Sequence, residues 1–191
     1  MSIELPKMSP QITSLSIKLL TTYYSNGQKK AEGNWNGFDP VGDHISWYES
    51  GSVESESIGF DEPVQTTTSW YENGQIRSKK AYSTQPNFVE IGLWTEWYEN
   101  GYKKSEGSYK GDDGRVDKWQ FWHSTGQLAC SGVHKGWGGD GLWIFWDEAG
   151  NKIHEREYRK SELLEVWKNL KADGCSDELI NQYRQYVFNS D

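Results

Sequence analysis

The sequence predicts a mainly β protein: a single elongated antiparallel β-meander of about six hairpin repeats, capped by two C-terminal α-helices. Three observations predict it. A five-residue segment recurs six times at a near-constant interval, the stretches between its copies are rich in strand-forming aromatics with glycines at fixed offsets, and the last thirty or so residues switch to helical spacing. Residues 1–158 are therefore expected to form the repeat domain and residues 159–191 a helical cap.

The recurring segment is clearest as Trp97-Tyr98-Glu99-Asn100-Gly101. It appears earlier as Tyr23-Tyr24-Ser25-Asn26-Gly27, Trp47-Tyr48-Glu49-Ser50-Gly51 and Trp70-Tyr71-Glu72-Asn73-Gly74, and later as Trp122-His123-Ser124-Thr125-Gly126 and Trp146-Asp147-Glu148-Ala149-Gly150. The six glycines are 24, 23, 27, 25 and 24 residues apart. Asn-Gly between β-prone flanks is a strong hairpin signal, and it predicts a type I′ turn with positive φ at both residues. Seven residues before the turn glycine stands Leu20, His44, Thr67, Trp94, Trp119 or Trp143, and this stretch reads as the incoming strand.

The outgoing strand is read by counting on from the same glycine. Four residues on are Ala31, Ser55, Ser78, Ser105, Cys130 and His154; six on, Gly33, Gly107 and Gly132; eight on, Trp35, Tyr82, Tyr109, His134 and Tyr158. Even offsets share one face of a strand. The small column is expected to leave room for the rings of the neighbouring strand. Gly37, Gly111 and Gly136 then mark the turn to the next repeat, and about twelve strands at ~4.8 Å spacing make a sheet roughly 50 to 60 Å long. The second copy departs most, with Ser57 in the glycine column and Gly59 in the aromatic one, which predicts an irregular outgoing strand.

An open repeat array needs a cap. Ser161 can N-cap a helix bearing Leu163, Leu164, Val166, Trp167 and Leu170, with Gly174 as its stop. Ser176 can cap a second, with Leu179, Ile180, Tyr183, Tyr186 and Val187 on one stripe. The pair either covers the last hairpin or serves as a docking or dimerisation element.

Composition narrows the function. Eleven Trp, eleven Tyr and six Phe with a mean hydropathy of −0.87 imply a largely aromatic core. A net charge of −8 argues against nucleic acid and anionic membrane partners, both of which need clustered Lys and Arg. Two cysteines, Cys130 and Cys175, are too few for a disulfide framework. Together with the lack of a basic, apolar leader and of any long apolar run, they predict a cytoplasmic protein.

No catalytic or metal site and no cofactor are expected. His44, His123, His134 and His154 each fall in a structural column, Cys130 falls in the small column, and the turns account for the glycines. The pattern of Trp94, Trp97, Tyr98, Asn100 and Gly101, followed by Gly107, Tyr109 and Gly111, resembles the MORN-repeat variant found in many bacterial proteins. The resemblance covers roughly residues 14 to 158 and is strongest in the first, third and fourth copies. Proteins of this variant are commonly grouped as antitoxins of the YwqK type, and similar repeats occur in bacterial immunity proteins. The resemblance thus implies a non-catalytic protein that binds a cognate toxin, such as a secreted antibacterial effector, and occludes its active site. MORN proteins of other lineages imply an alternative, a scaffold or membrane-associated interaction module.

Charge distribution suggests where a partner would bind. Between Ala31 and Ile76 there is no Lys or Arg, while Glu32, Asp39, Asp43, Glu49, Glu54, Glu56, Asp61, Glu62 and Glu72 supply nine negative charges. Elsewhere basic residues follow the turns, as Lys29-Lys30, Arg77 with Lys79-Lys80, and Lys103-Lys104; the second copy has Glu54 and Glu56 instead. The window is either a solvated face or a docking surface for a toxin with a basic surface, with Trp35, Trp47 and Tyr48 as anchors or as buried framework. A third reading, glycan recognition by the aromatic columns, requires exposed Trp and an export route.

Overall fold

A computed structural model of the chain describes residues 16–136 and 138–158. They form twelve strands: β1 Lys18–Tyr23, β2 Lys29–Asn36, β3 Asp39–Trp47, β4 Val53–Ile58, β5 Val64–Trp70, β6 Ile76–Ser83, β7 Val89–Trp97, β8 Lys103–Lys110, β9 Arg115–Trp122, β10 Leu128–Lys135, β11 Gly139–Trp146 and β12 Lys152–Tyr158. One turn of 3₁₀-helix, Gly111–Asp113, separates β8 from β9. All twelve strands lie in one antiparallel sheet in sequence order, so the six recurring segments are six hairpins of a meander. The two helices expected after Ser161 and Ser176, and Cys175, lie outside the described residues.

The hairpin turns are not type I′. Only the glycine has positive φ (87° at Gly27, 84° at Gly74, 85° at Gly101), and no turn asparagine does. In the first hairpin Gly27 N–H donates to the Tyr24 carbonyl at 3.0 Å and Tyr24 N–H to the Gln28 carbonyl at 2.8 Å, a pattern repeated in the other five. This is a three-residue loop whose left-handed glycine makes a bulge, and the pairing register shifts at the end of every incoming strand. The asparagine is selected by its side chain instead of its backbone. Oδ1 of Asn26, Asn73 and Asn100 accepts the N–H two residues on, while Nδ2 donates to the carbonyl of Glu49, Glu99 or Ser124 in the following hairpin.

The tyrosine of the segment works the same way. The hydroxyls of Tyr24, Tyr48, Tyr71 and Tyr98 donate at 2.8 Å to the carbonyls of Trp47, Trp70, Trp97 and Trp122 in the next hairpin, and His123 Nε2 is 2.8 Å from the Trp146 carbonyl. The sixth copy has Asp147, which accepts the Asn151 N–H at 2.8 Å and closes its own turn.

Rings and glycines pack between hairpins. The rings of His44, Trp119 and Trp143 lie flat on Gly33, Gly107 and Gly132, so close that a Cβ on any of these glycines would sit 2.1 Å from a ring atom. It is therefore the glycine column, not the small column expected to do so, that receives the rings. Each ring N–H also has a carbonyl: Trp94, Trp119 and Trp143 donate Nε1–H to Ala81, Ser108 and Val133 at 3.1 to 3.2 Å, and His44 Nε2 lies 3.0 Å from the Asn34 carbonyl. In all four cases that carbonyl belongs to the residue just past a register shift between β2 and β3, β6 and β7, β8 and β9, or β10 and β11. The bulge frees a carbonyl and the ring occupies it.

The pairing of β4 with β5 has no register shift, contrary to the irregularity expected of the second copy. Thr67 replaces the ring there, and Ser57 replaces the glycine and shares a 2.9 Å hydrogen bond with Thr67. Two small hydroxyl residues need neither a bare backbone nor a freed carbonyl.

The core lies on this ring-bearing face. Phe88, Tyr82, Trp94, Tyr109, Trp119, His134, Trp143 and Tyr158 form an unbroken series of ring contacts with centroids 4.4 to 6.3 Å apart. Burial is greatest toward β12, where Trp143, Phe145 and Cys130 have no exposed surface. The row beside the rings changes character along the sheet. Across β3 to β6 it is Ser46, Ser55, Ser69 and Ser78, with Ser46–Ser55 and Ser69–Ser78 hydroxyl pairs at 2.8 and 2.7 Å; across β9 to β11 it is Phe121, Cys130 and Phe145.

Candidate functional site

The opposite face is where the acidic window acquires a geometry. One row crosses the whole sheet there: Thr21, Glu32, Ile45, Glu56, Thr68, Lys79, Thr95, Glu106, Gln120, Ser131, Ile144 and Glu155 are register partners from β1 to β12. In three repeats its glutamate is neutralised by the lysine at the start of the same strand. Lys29–Glu32, Lys103–Glu106 and Lys152–Glu155 are ion pairs of 2.6, 2.8 and 2.6 Å. Glu32 and Glu106 also accept from Thr21 and Thr95 on the preceding strand, at 2.9 and 3.3 Å. The lysine hydrogen bond and then that of Thr21 hold Glu32 below the ordinary carboxylate pKa. Lys29 and Lys103 further place their ammonium groups 5.5 and 5.1 Å from the ring centres of Trp47 and Trp122.

The second repeat keeps the glutamate but loses the lysine and the preceding-strand threonine that engage it in the first and fourth repeats. Val53 stands in the lysine position and Ile45 in the threonine position, and among the described residues Glu56 has no ion-pair or hydrogen-bond partner. Ile45, Val53, Glu56 and Trp70, with Ser52 and Gly74, line an open groove of about 430 Å³. The next basic residue in the row is Lys79, two strands along with Thr68 between, and no ion pair joins it to Glu56.

The other acidic residues of the window are dispersed. Asp43 and Asp61 have structural work, accepting the backbone N–H of Gly59 at 3.2 Å and of Gly42 at 2.7 Å across the loops far from the hairpin turns. Asp39 opens β3 and Glu62 lies in the loop after β4, both exposed. Glu49 and Glu72 are exposed at the turns, where only their carbonyls are engaged, by Asn26 and Ser52. Glu54 takes a 3.2 Å bond from Ser46 on the ring-bearing face. Of the aromatics, Trp47 is half-buried under Lys29, Tyr48 is spent on the Trp70 carbonyl, and Trp35 packs edge-on against His44 at 5.3 Å. The structure thus spreads the nine carboxylates over two faces and two edges and assembles a recess around only one.

Three groove residues, Ile45, Val53 and Trp70, are missed by counting charge alone. The signal for them lies in two columns taken together, Lys29, Val53, Ile76, Lys103, Leu128 and Lys152 two residues after the turn glycine, and Glu32, Glu56, Lys79, Glu106, Ser131 and Glu155 five after it. The second copy alone has a glutamate without its lysine.

His44, His123 and His134 occupy aromatic columns, and His154 the small one. His134 is 2% exposed with its ring 4.9 Å from that of Trp143, and His154 lies 5.9 Å from Phe145. Among the described residues no three His, Cys, Asp or Glu side chains gather in a metal-binding group. Burial pushes the Cys130 thiol far above its ordinary pKa. No helix among the described residues is long and apolar enough to cross a membrane.

Three segments of the chain, 19–36, 66–83 and 90–110, match the family model described as MORN repeat variant. They coincide with the first, third and fourth hairpins, so the chain carries MORN-variant repeats. No curated protein matches it. Among solved structures, one similar chain is a protein with unknown function from Bacteroides fragilis NCTC 9343, at 11% identity over 75% of this chain and 92% of that one, with a TM-score of 0.15.

Proposed function

We propose that this chain is a non-catalytic immunity or antitoxin protein, which binds a cognate toxin through the acidic first three repeats and occludes its active site. The observation that carries the reading is unspent charge. Of the nine carboxylates between Ala31 and Ile76, only Glu32 forms an ion pair among the described residues. A concentration of unpaired negative charge raises the association rate with a basic partner and suppresses contact with phosphate backbones and anionic bilayers. The match to the MORN repeat variant is consistent with the reading, since the tyrosine and asparagine of its signature are spent on holding one hairpin to the next.

The test is co-expression with the toxin encoded beside this protein in its genome, in a strain that the toxin kills. Survival with a stable complex is expected, and lethality without a complex overturns the proposal. Reversing Glu49, Glu56, Glu62 and Glu72 leaves the loop bonds of Asp43 and Asp61 intact; it should slow association at least tenfold and abolish its salt dependence. Flotation with anionic vesicles separates the scaffold alternative. The chain is expected to remain with the soluble fraction, and co-flotation would favour a membrane-associated module.

A further inference from the structure

The groove of the second repeat has a template inside the same molecule. In the first and fourth repeats a lysine ammonium sits between a glutamate and an indole: Lys29 between Glu32 and Trp47, Lys103 between Glu106 and Trp122. In the second repeat the glutamate is Glu56 and the indole is Trp70, at the same places in the register. Val53 ends at its γ carbons, short of where an ammonium would be, and the room it leaves is part of an open groove of about 430 Å³. Ile45 removes the hydroxyl that Thr21 and Thr95 give to the equivalent glutamates. A carboxylate set among Ile45, Val53 and Trp70 without a counter-ion gains more from one incoming cation than a fully hydrated carboxylate does.

We infer that the recess formed by Glu56, Trp70, Val53 and Ile45 is a docking site for a lysine side chain of a protein partner, which takes the place that the first and fourth repeats fill with their own lysine. The alkyl stem lies along Val53 and Ile45, and the ammonium reaches both the carboxylate and the indole face. Lysine suits the recess because lysine is what the molecule itself places in the equivalent sites; the groove also opens to solvent, as an incoming side chain requires. The inference deepens the proposal of a basic partner and rests on it only for the identity of the protein that bears the lysine.

The test uses the full chain and N-acetyl-lysine methylamide as probe, with N-acetyl-norleucine methylamide as the uncharged control. Titrations are followed by the tryptophan indole N–H signals in ¹H–¹⁵N spectra, with Trp70 assigned from Trp70→Phe. The lysine probe should shift the Trp70 signal saturably at roughly 10–100 mM, the strength expected of one exposed ion pair with a cation–π contact, and norleucine should not. Glu56→Gln should abolish the shift. Val53→Lys should abolish it too, because the new lysine fills the recess from within, and it should fold as the wild type does because the first and fourth repeats carry lysine there. An unshifted Trp70, an equal shift with norleucine, or a shift undiminished in Val53→Lys overturns the inference. Those outcomes leave the toxin co-expression result untouched, so the two ideas fail separately.

Discussion

Replacing Gly132 by alanine tests the packing that joins one hairpin to the next. A Cβ built on Gly132 lies 2.1 Å from Cδ2 and 2.3 Å from Cε2 of Trp143, more than an ångström inside ordinary van der Waals contact. Trp143 cannot swing aside into solvent, because it has no exposed surface, and its Nε1–H is held at 3.1 Å by the Val133 carbonyl. Overpacking of this kind costs about 1–3 kcal/mol, and breaking a buried hydrogen bond adds roughly 1–3 kcal/mol if the ring is forced off its acceptor. Against this, alanine gains about 0.4–1 kcal/mol over glycine by restricting the unfolded chain. The net expectation is a loss of about 2–4 kcal/mol, read from the urea midpoint by tryptophan fluorescence and circular dichroism. Two controls make the reasoning specific. Ser57→Ala, at the same column opposite Thr67, should cost under about 1 kcal/mol, and in a Trp143→Leu background Gly132→Ala should lose most of its effect through the coupling of the pair. A Gly132→Ala protein within about 0.5 kcal/mol of wild type would refute the ring-on-glycine account.

Further outcomes follow from the same geometry. Tyr71→Phe removes the 2.8 Å bond to the Trp97 carbonyl and should lower stability by about 1 kcal/mol in urea unfolding. Asp117 has φ of 60°, two residues before Trp119, where Gly42, Gly92 and Gly141 precede the rings of His44, Trp94 and Trp143; Asp117→Gly should therefore raise the melting temperature, by the equivalent of about 0.5–1 kcal/mol. Glu32 is held below the ordinary carboxylate pKa chiefly by the Lys29 hydrogen bond, so its contribution to stability is present above the ordinary value and is lost as pH falls through the lower folded one. In Lys29→Met the carboxyl titration of Glu32, followed by NMR, should move back up toward the ordinary range.

The sheet was legible because each repeat reports on the same geometry six times. Six turn glycines, the alternating columns and the Trp-rich incoming strands predicted about twelve strands, and the described residues contain twelve. Interactions between repeats were less legible. Reading Asn26-Gly27 as a type I′ turn considered only local backbone preference, whereas the asparagine serves the next hairpin through Nδ2. Likewise the second copy looked irregular because Gly33, Gly107 and Gly132 were treated as a property of their own strand. They answer to His44, Trp119 and Trp143 on the following one, and Thr67 asks nothing of Ser57 but a hydroxyl. At the candidate site, charge counting found Glu56 but weighted it equally with Asp43 and Asp61, whose carboxylates are engaged by backbone N–H groups across a fold that sequence alone does not display.

The handing of Tyr71 to Trp97, of Asn73 to Glu99 and of Gly107 to Trp119 has a consequence for how such a chain can lengthen. The unit that can be copied without error is out of phase with the hairpin: it begins in the middle of one and ends in the middle of the next. A duplication cut at the hairpin boundaries could join a glycine meant for tryptophan to a threonine, or a tyrosine to nothing. Asp147, which turns back on Asn151 where its five counterparts reach forward, makes the sixth turn self-contained, so a copy beginning with such a residue would carry no tie of this kind to its neighbour.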